Sequence, residues 1–262
     1  MSLVEIEKRG RIAIVRFDRG DRANALSTEL LRQLMAAARS FENDAHTSAI
    51  VLTGPAHVFT NGADLKDPER AQLKEASFAQ RRLQMQLGGK MCRAWEELEP
   101  VTIAAVEGWC VGGGTALAVS CDLRVASSEA RFYVPEIERG MNLSWGAVPR
   151  LVHLVGPART KRLIVLSEKV GAERAQDWGL VDEVCEPGKA LDAALALAER
   201  AASMPPVQVR MIKQSVNAAA FALDRAVSHA DFDQFALAAA SEDFAEGTRS
   251  FLEKRPPRYT GA

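Results

Sequence analysis

Val106-Glu107-Gly108-Trp109-Cys110-Val111-Gly112-Gly113-Gly114 is the stretch on which the reading of this chain turns. It follows a continuous apolar run, Val101 to Val106 (VTIAAV), of the kind that forms a buried strand. It leads into small residues of helical character that end near Cys121. Three glycines between a strand and a helix let the backbone come close to something, either a ligand or another helix. The spacing is not G-x-G-x-x-G, and no P-loop lysine follows.

Two more segments stand on either side. Upstream is Phe59-Thr60-Asn61-Gly62-Ala63-Asp64-Leu65-Lys66, and downstream is Val134-Pro135-Glu136-Ile137-Glu138-Arg139-Gly140. Singly they read plainly. Asn61-Gly62 is a turn. Glu136, after a proline, is a helix-start charge or a solvated loop residue. Jointly they offer chemistry. Each glycine-rich turn exposes backbone N–H groups next to a helix start, and two such donors aimed at one point form an oxyanion hole. A carboxylate beside it serves as a general base.

Further out, Val4 to Phe17 reads as a hairpin turning at Arg9-Gly10. Ser27 is an N-cap for a helix with Leu30, Leu34, Ala38 and Phe41 on one stripe. Ala49 to Thr53 is a buried strand, and residues 54 to 66 a loop. Asp67-Pro68 starts a helical region running towards Leu98, with a kink or break expected at Gly88-Gly89. Short strands are expected at 123–126, 131–134 and 180–185, with helices at 145–154, 157–167 and 172–178. Beyond residue 188 the pattern is helical: 189–203, then 207–220, 223–240 and 242–254. The layout is α/β, a strand-and-helix core over 1–200 followed by a helical region over 201–262. That region carries Phe221, Phe232, Phe235, Phe244 and Phe251, and needs its own core or a neighbouring subunit to cover.

The bulk composition narrows the classes. The chain has 262 residues, 47% of them hydrophobic, enough for a large core. Its net charge of -1 provides no global field for nucleic acid or an acidic membrane. No apolar run approaches the length of a membrane span, and the first ten residues lack the apolar core of a signal peptide. Cys92, Cys110, Cys121 and Cys185 form no CxxC pair, so reduced thiols in a cytoplasmic protein are expected. His46, His57, His153 and His229 fall in no motif, and no metal site is expected. His57 lies nearest the 59–66 stretch and is the one histidine considered for pocket lining.

The order and wording of the three segments resemble the crotonase (enoyl-CoA hydratase/isomerase) superfamily. The resemblance extends to Cys121-Asp122-Leu123-Arg124-Val125-Ala126, to residues 175–184 (AQDWGLVDEV) and to Phe251-Leu252-Glu253-Lys254-Arg255. It implies a crotonase-like spiral of repeated ββα units with a C-terminal helical trimerisation region that also covers the pocket. It implies an acyl-CoA substrate, with coenzyme A part of that substrate and no tightly bound cofactor. It makes the assembly a homotrimer or a dimer of trimers. Ala63 and Gly113 are implied as the two oxyanion donors and Glu136 as the catalytic acid/base. Around them Gly62, Leu65, Gly112, Ala116 and Ser144 are implied for substrate binding. Ala23, Ala25, Leu26, Asp64 and Lys66 align with segments that line the CoA pocket. Lys254 aligns with a tail lysine that reaches a neighbour's CoA in some members. A solvated surface charge is the other reading of Lys66 and Lys254.

One departure matters. Hydratases of this family carry a second glutamate where this chain has Ala116. Loss of one of two carboxylates should slow hydration by about 10²–10⁴-fold. Single-glutamate branches exist: Δ3,Δ2-enoyl-CoA isomerases and hydroxycinnamoyl-CoA hydratase-lyases, and Gly108-Trp109-Cys110 resembles the latter. Fatty-acid or aromatic-acid metabolism is the implied setting. Glu138, Asn142, Ser144 and Trp145 are candidates for the acyl pocket, with a salt-bridge role favoured for Glu138. A partner- or RNA-binding homologue is the alternative of another class. It would use the region 69–93, with Lys74, Lys90 and four arginines among acidic residues.

Overall fold

The computed structural model describes residues 2–73 and 75–262. Strands β1 (Val4–Arg9) and β2 (Ile12–Phe17) form the expected antiparallel hairpin. Helix α1 (Thr28–Arg39) begins where Ser27 caps it, its side chain accepting from the Leu30 N–H. Three strand pairs follow: β3 (Ala49–Thr53) with β4 (Val58–Thr60), β5 (Val101–Val106) with β6 (Trp109–Val111), and β7 (Leu123–Ser127) with β8 (Arg131–Tyr133). The last strands are β9 (Val170–Gly171) and β10 (Glu183–Cys185).

The first strand of each pair enters a six-stranded sheet of order β1-β2-β3-β5-β7-β10, parallel from β2 onwards. The second enters a four-stranded sheet, β4-β6-β8-β9. Helices close each turn of this ββα spiral. After β4 come α2 (Pro68–Gln72), α3 (Phe78–Met85) and α4 (Leu87–Glu96). After β6 comes α5 (Gly113–Ala118), and after β8 comes α6 (Ala147–Ile164). Helix α7 (Ala172–Trp178) precedes β10.

Parallel strands covered on both faces are apolar at successive positions, which is why these runs read as continuous. Val15, Ile50, Leu52, Ala104 and Val106 face α1 and α4, packing with Leu30, Leu34, Met91 and Trp95. Ile12, Ala49, Val51, Ile103 and Val125 face α8 (Ala190–Ala202), whose Ala190, Ala194 and Ala198 lie flat on the sheet.

The tail continues as α9 (Pro206–Ala220), α10 (Asp224–Ser228), α11 (Asp231–Ala239) and α12 (Glu242–Glu253). Lys213 pins α9 to the core, reaching Asp122 at 2.6 Å and the Pro100 carbonyl at 2.8 Å. The same helix leaves Val207, Met211, Ile212 and Val216 more than half exposed. No helix among the described residues is long and apolar enough to cross a membrane.

Several expected bounds shift, each for a local reason. The helical region from Asp67 breaks between Gln72 and Phe78 and again at Gln86. Gly88 and Gly89, expected to kink or break it, lie inside α4, where Gly88 makes room for the Trp145 ring. Trp145 is left-handed, so α6 starts at Ala147, and Gly156 before Pro157 divides α6 into two straight halves. The expected helix 223–240 divides at His229-Ala230. The strand expected at 180–185 is only Glu183–Cys185. Within the expected loop 54–66 lies β4, and the sheet it joins is built of strands of two or three residues, too short for periodicity to show.

Candidate active site

The loop after β4 is locked by side chains. Thr60 Oγ1 accepts from Gly62 N–H at 3.1 Å. Asp64 accepts from Arg19 Nη1 at 2.7 Å and from Lys66 N–H at 2.8 Å, while Arg19 also holds the Ala25 carbonyl at 3.0 Å. Asn24, fully buried, donates to the carbonyls of Phe17 and Phe59. Asp67 accepts from Thr28 N–H at 2.6 Å. Leu26 bridges this loop, its N–H on the Gly62 carbonyl and its carbonyl on the Asp64 N–H. Residues alternate in direction along an extended segment, so the Ala63 N–H between them points away from Leu26. It has no partner among the described residues.

The glycine run supplies a second free donor. Gly112 N–H ends the small sheet on the Tyr133 carbonyl at 2.8 Å, and Gly112 then turns through φ 51° into α5. Gly113 opens the helix, so its N–H has no intrahelical acceptor. The two donors are close. A Cβ built on Gly62 would lie 3.6 Å from Gly113 N. Gly114 is glycine for packing, because a Cβ there would strike the Thr60 methyl.

Glu136 approaches from the third segment, capping a 3-10 turn, Ile137–Arg139. Its carbonyl accepts from Arg139 and Met141 N–H at 3.0 Å each. The residue is half-buried as a whole, but Oε2 is shut off from solvent and has no hydrogen-bond partner. Oε1 occupies the space a Cβ on Gly112 would need. Burial pushes the Glu136 carboxyl up to about 7, its own N–H and the Arg139 charge offsetting only part. Glu138 faces elsewhere. It accepts from the Tyr133 hydroxyl, whose own proton burial and Glu138 hold up to about 12.

A cavity of about 690 Å³ joins these groups. Of the residues implied for the site, Leu26, Ala63, Leu65, Gly113, Ala116, Glu136 and Ser144 line it. Ala23, Ala25, Gly62, Asp64, Lys66 and Gly112 do not; they lie in the loops that carry the lining residues, and Lys66 is exposed. Lys254 is exposed at the left-handed end of α12. His57 is exposed and outside the cavity, while His229 on the tail lines it. Arg70, Arg82, Lys90 and Arg93, from the basic region 69–93, also line it; Lys74 lies outside the described residues. Asn142, with a buried unpartnered Oδ1, and Trp145 complete the wall near Glu136. The glycines that seat Trp145 were not legible as such. Gly88 sits in a glycine pair that reads as a kink, and Gly113 in the run that reads as a donor turn.

Free donors beside an unpaired buried carboxylate suit chemistry in which a carbonyl oxygen is held as it gains charge while a proton moves nearby. Comparison with known proteins gives the family. The Enoyl-CoA hydratase/isomerase family profile matches residues 7–262. The chain belongs to that family. It is 35% identical over 254 residues to the short-chain-enoyl-CoA hydratase of Clostridium acetobutylicum, covering 96% of this chain and 95% of the relative. It is 32% identical over 264 residues to the 2,3-dehydroadipyl-CoA hydratase of Escherichia coli K12, covering 100% of each. Among solved structures, an enoyl-CoA hydratase/isomerase from Pseudoalteromonas atlantica superimposes with a TM-score of 0.88 at 26% identity. It covers 99% of this chain and 100% of that one. Membership makes this chain a crotonase-superfamily enzyme.

Proposed function

We propose that the chain binds an acyl-CoA thioester, stabilises its enolate between the Ala63 and Gly113 N–H groups, and moves protons with Glu136. The observation that carries this reading is the meeting of two free backbone donors and one buried, unpaired carboxylate on a single cavity. Each donor is worth about 2.7–4 kcal/mol as charge develops on the thioester oxygen. Glu136 is poised near neutrality, where a group both takes and returns a proton efficiently. Arg70, Arg82, Lys90 and Arg93 offer positive charge to the phosphates of CoA.

Ala116 favours a second reading within the same chemistry. It lines the cavity, 1% exposed, and contributes no carboxylate. A single base suffices for 3-enoyl to 2-enoyl isomerisation. Glu136 takes a proton from C2, the C–H electron pair forms the enolate, and the same carboxyl returns the proton at C4. Hydroxycinnamoyl cleavage is the other single-glutamate outcome. The two relatives named above differ in acyl group at similar identity, so likeness alone leaves the acyl group open. We assign a homotrimer or dimer of trimers, with the exposed apolar face of α9 at the contact.

The test is turnover by the purified protein of saturated, 2-enoyl, 3-enoyl and hydroxycinnamoyl CoA esters, with hydration, isomerisation and cleavage read separately. Turnover that survives Glu136→Gln sinks the role given to Glu136. Failure to bind any CoA ester, with salt-sensitive retention on RNA, would favour the binding-protein alternative.

A further inference from the structure

We propose that the indole of Trp145 is the acyl wall of the active site and restricts this chain to short acyl groups. The inference deepens the thioester reading and rests on it.

Trp145 stands in the left-handed region at φ 63°, and Gly146 follows at φ 71°. A bulky residue is uncommon there, and such backbone persists only where its surroundings over-determine it. Two bonds from different elements do so. The Trp145 carbonyl accepts from Arg150 Nη1 at 2.9 Å, and the Gly146 N–H donates to Asp231 Oδ2 at 2.8 Å. Arg150 is itself buried and held by Glu96 at 2.5 Å.

This turn delivers the indole into a slot made by missing side chains. A Cβ on Gly88 would overlap the ring at Cε2, Cζ2 and Nε1. A Cβ on Gly113 would overlap its other edge, at Cζ3 and Cη2. The ring is thus clasped between α4 and the first residue of α5. Gly113 is also the residue assigned to hold the thioester oxygen. The acyl chain must leave that point with the indole edge directly beside it.

Trp145, Gly88, Gly113 and Glu136 line one cavity, and so does Glu96 further along α4. Eight residues of helix separate Gly88 from Glu96, about 12 Å at the usual rise. The indole fills the space between Gly88 and Gly113 that an acyl chain leaving the donor would otherwise enter.

The experiment compares kcat/KM for CoA esters from butenoyl to dodecenoyl, using the double-bond position the wild type turns over. The proteins are wild type, Trp145→Phe and Trp145→Ala, each checked by thermal melting. The wild type should favour butenoyl. In Trp145→Ala the dodecenoyl-to-butenoyl ratio should rise at least about tenfold, since even one methylene of fit carries that much discrimination. Trp145→Phe should fall between, and it is read by the same ratio should the alanine variant not fold. A general loss of packing would lower all rates and leave the ratio where it was. An unchanged ratio in a folded variant, or a wild type indifferent to length, overturns the inference while leaving the thioester reading intact. A wild type that neither turns over nor binds any ester overturns both.

Discussion

Gly112 and Glu136 share one space: the position a Cβ would take at residue 112 is filled by Glu136 Oε1. The glycine of the donor turn therefore also seats the carboxylate. Gly112→Ala should displace Glu136 and strain a backbone held at φ 51° and ψ -111°. Strain of that kind costs about 1–3 kcal/mol. Turnover should fall by about 10²–10⁴-fold, the worth of a well-placed base. Steady-state kinetics and a thermal melt separate the two effects. Unaltered kcat would show that the carboxylate does not need this seat.

Glu136→Gln should abolish turnover and at the same time raise stability above neutral pH. The folded carboxyl sits near 7, above its ordinary value of 4.5. Below pH 4.5 it is protonated folded and unfolded alike. Between there and 7 the unfolded chain releases its proton while the folded one retains it, so stability falls as pH rises. A shift of this size corresponds to on the order of 3 kcal/mol. The glutamine variant should lack that fall, and its Tm at pH 8 should exceed the wild type's by several degrees. A variant that melts lower at pH 8 contradicts the burial argument.

The same carboxyl sets the rate profile. As a base, Glu136 must be ionised in the free enzyme, so kcat/KM should climb with pH and level off above about 7. A limb centred near 4.5 would mean that substrate meets a solvated carboxylate. The profile is read with a substrate whose own ionisations lie outside this window.

Arg19 and Asp64 should act as a unit. Arg19 joins the Ala25 carbonyl to Asp64, and Asp64 turns the chain beside the Ala63 donor. Arg19→Ala and Asp64→Ala should each lower kcat with little change in melting, because the pair is partly exposed. The double variant should be no worse than either single one, a coupling visible in a double-mutant cycle. Additive losses would point to separate roles, such as direct contact of Asp64 with CoA.

Ile212→Asp on the exposed face of α9 should lower the mass measured by light scattering from three or six chains towards one. Ile212 and the apolar residues around it are more than half exposed among the described residues, so a charge there disfavours association rather than folding. A monomeric wild type would remove the assignment of that face.

Much of the fold is legible in local sequence. The apolar runs at Ala49–Thr53 and Val101–Val106 are strands because parallel strands are covered on both faces, and each side chain had to be apolar whichever way it pointed. Ser27 as a cap, the turn at Gly10 and the helical tail were equally local. Ala63, Gly113 and Glu136 are site candidates by resemblance of three short segments, and the fold brings all three to one cavity. The remaining features depend on contacts between distant segments. Of the four-stranded sheet only β8 is legible in sequence; β4, β6 and β9 are too short to carry a period and are recognised only where the fold lays them side by side. Gly88-Gly89 carried a backbone expectation, a kink, but the reason for Gly88 is a tryptophan some sixty positions away in a left-handed turn. The raised carboxyl of Glu136 is likewise invisible in sequence, since burial is a property of everything packed around a residue rather than of the residue.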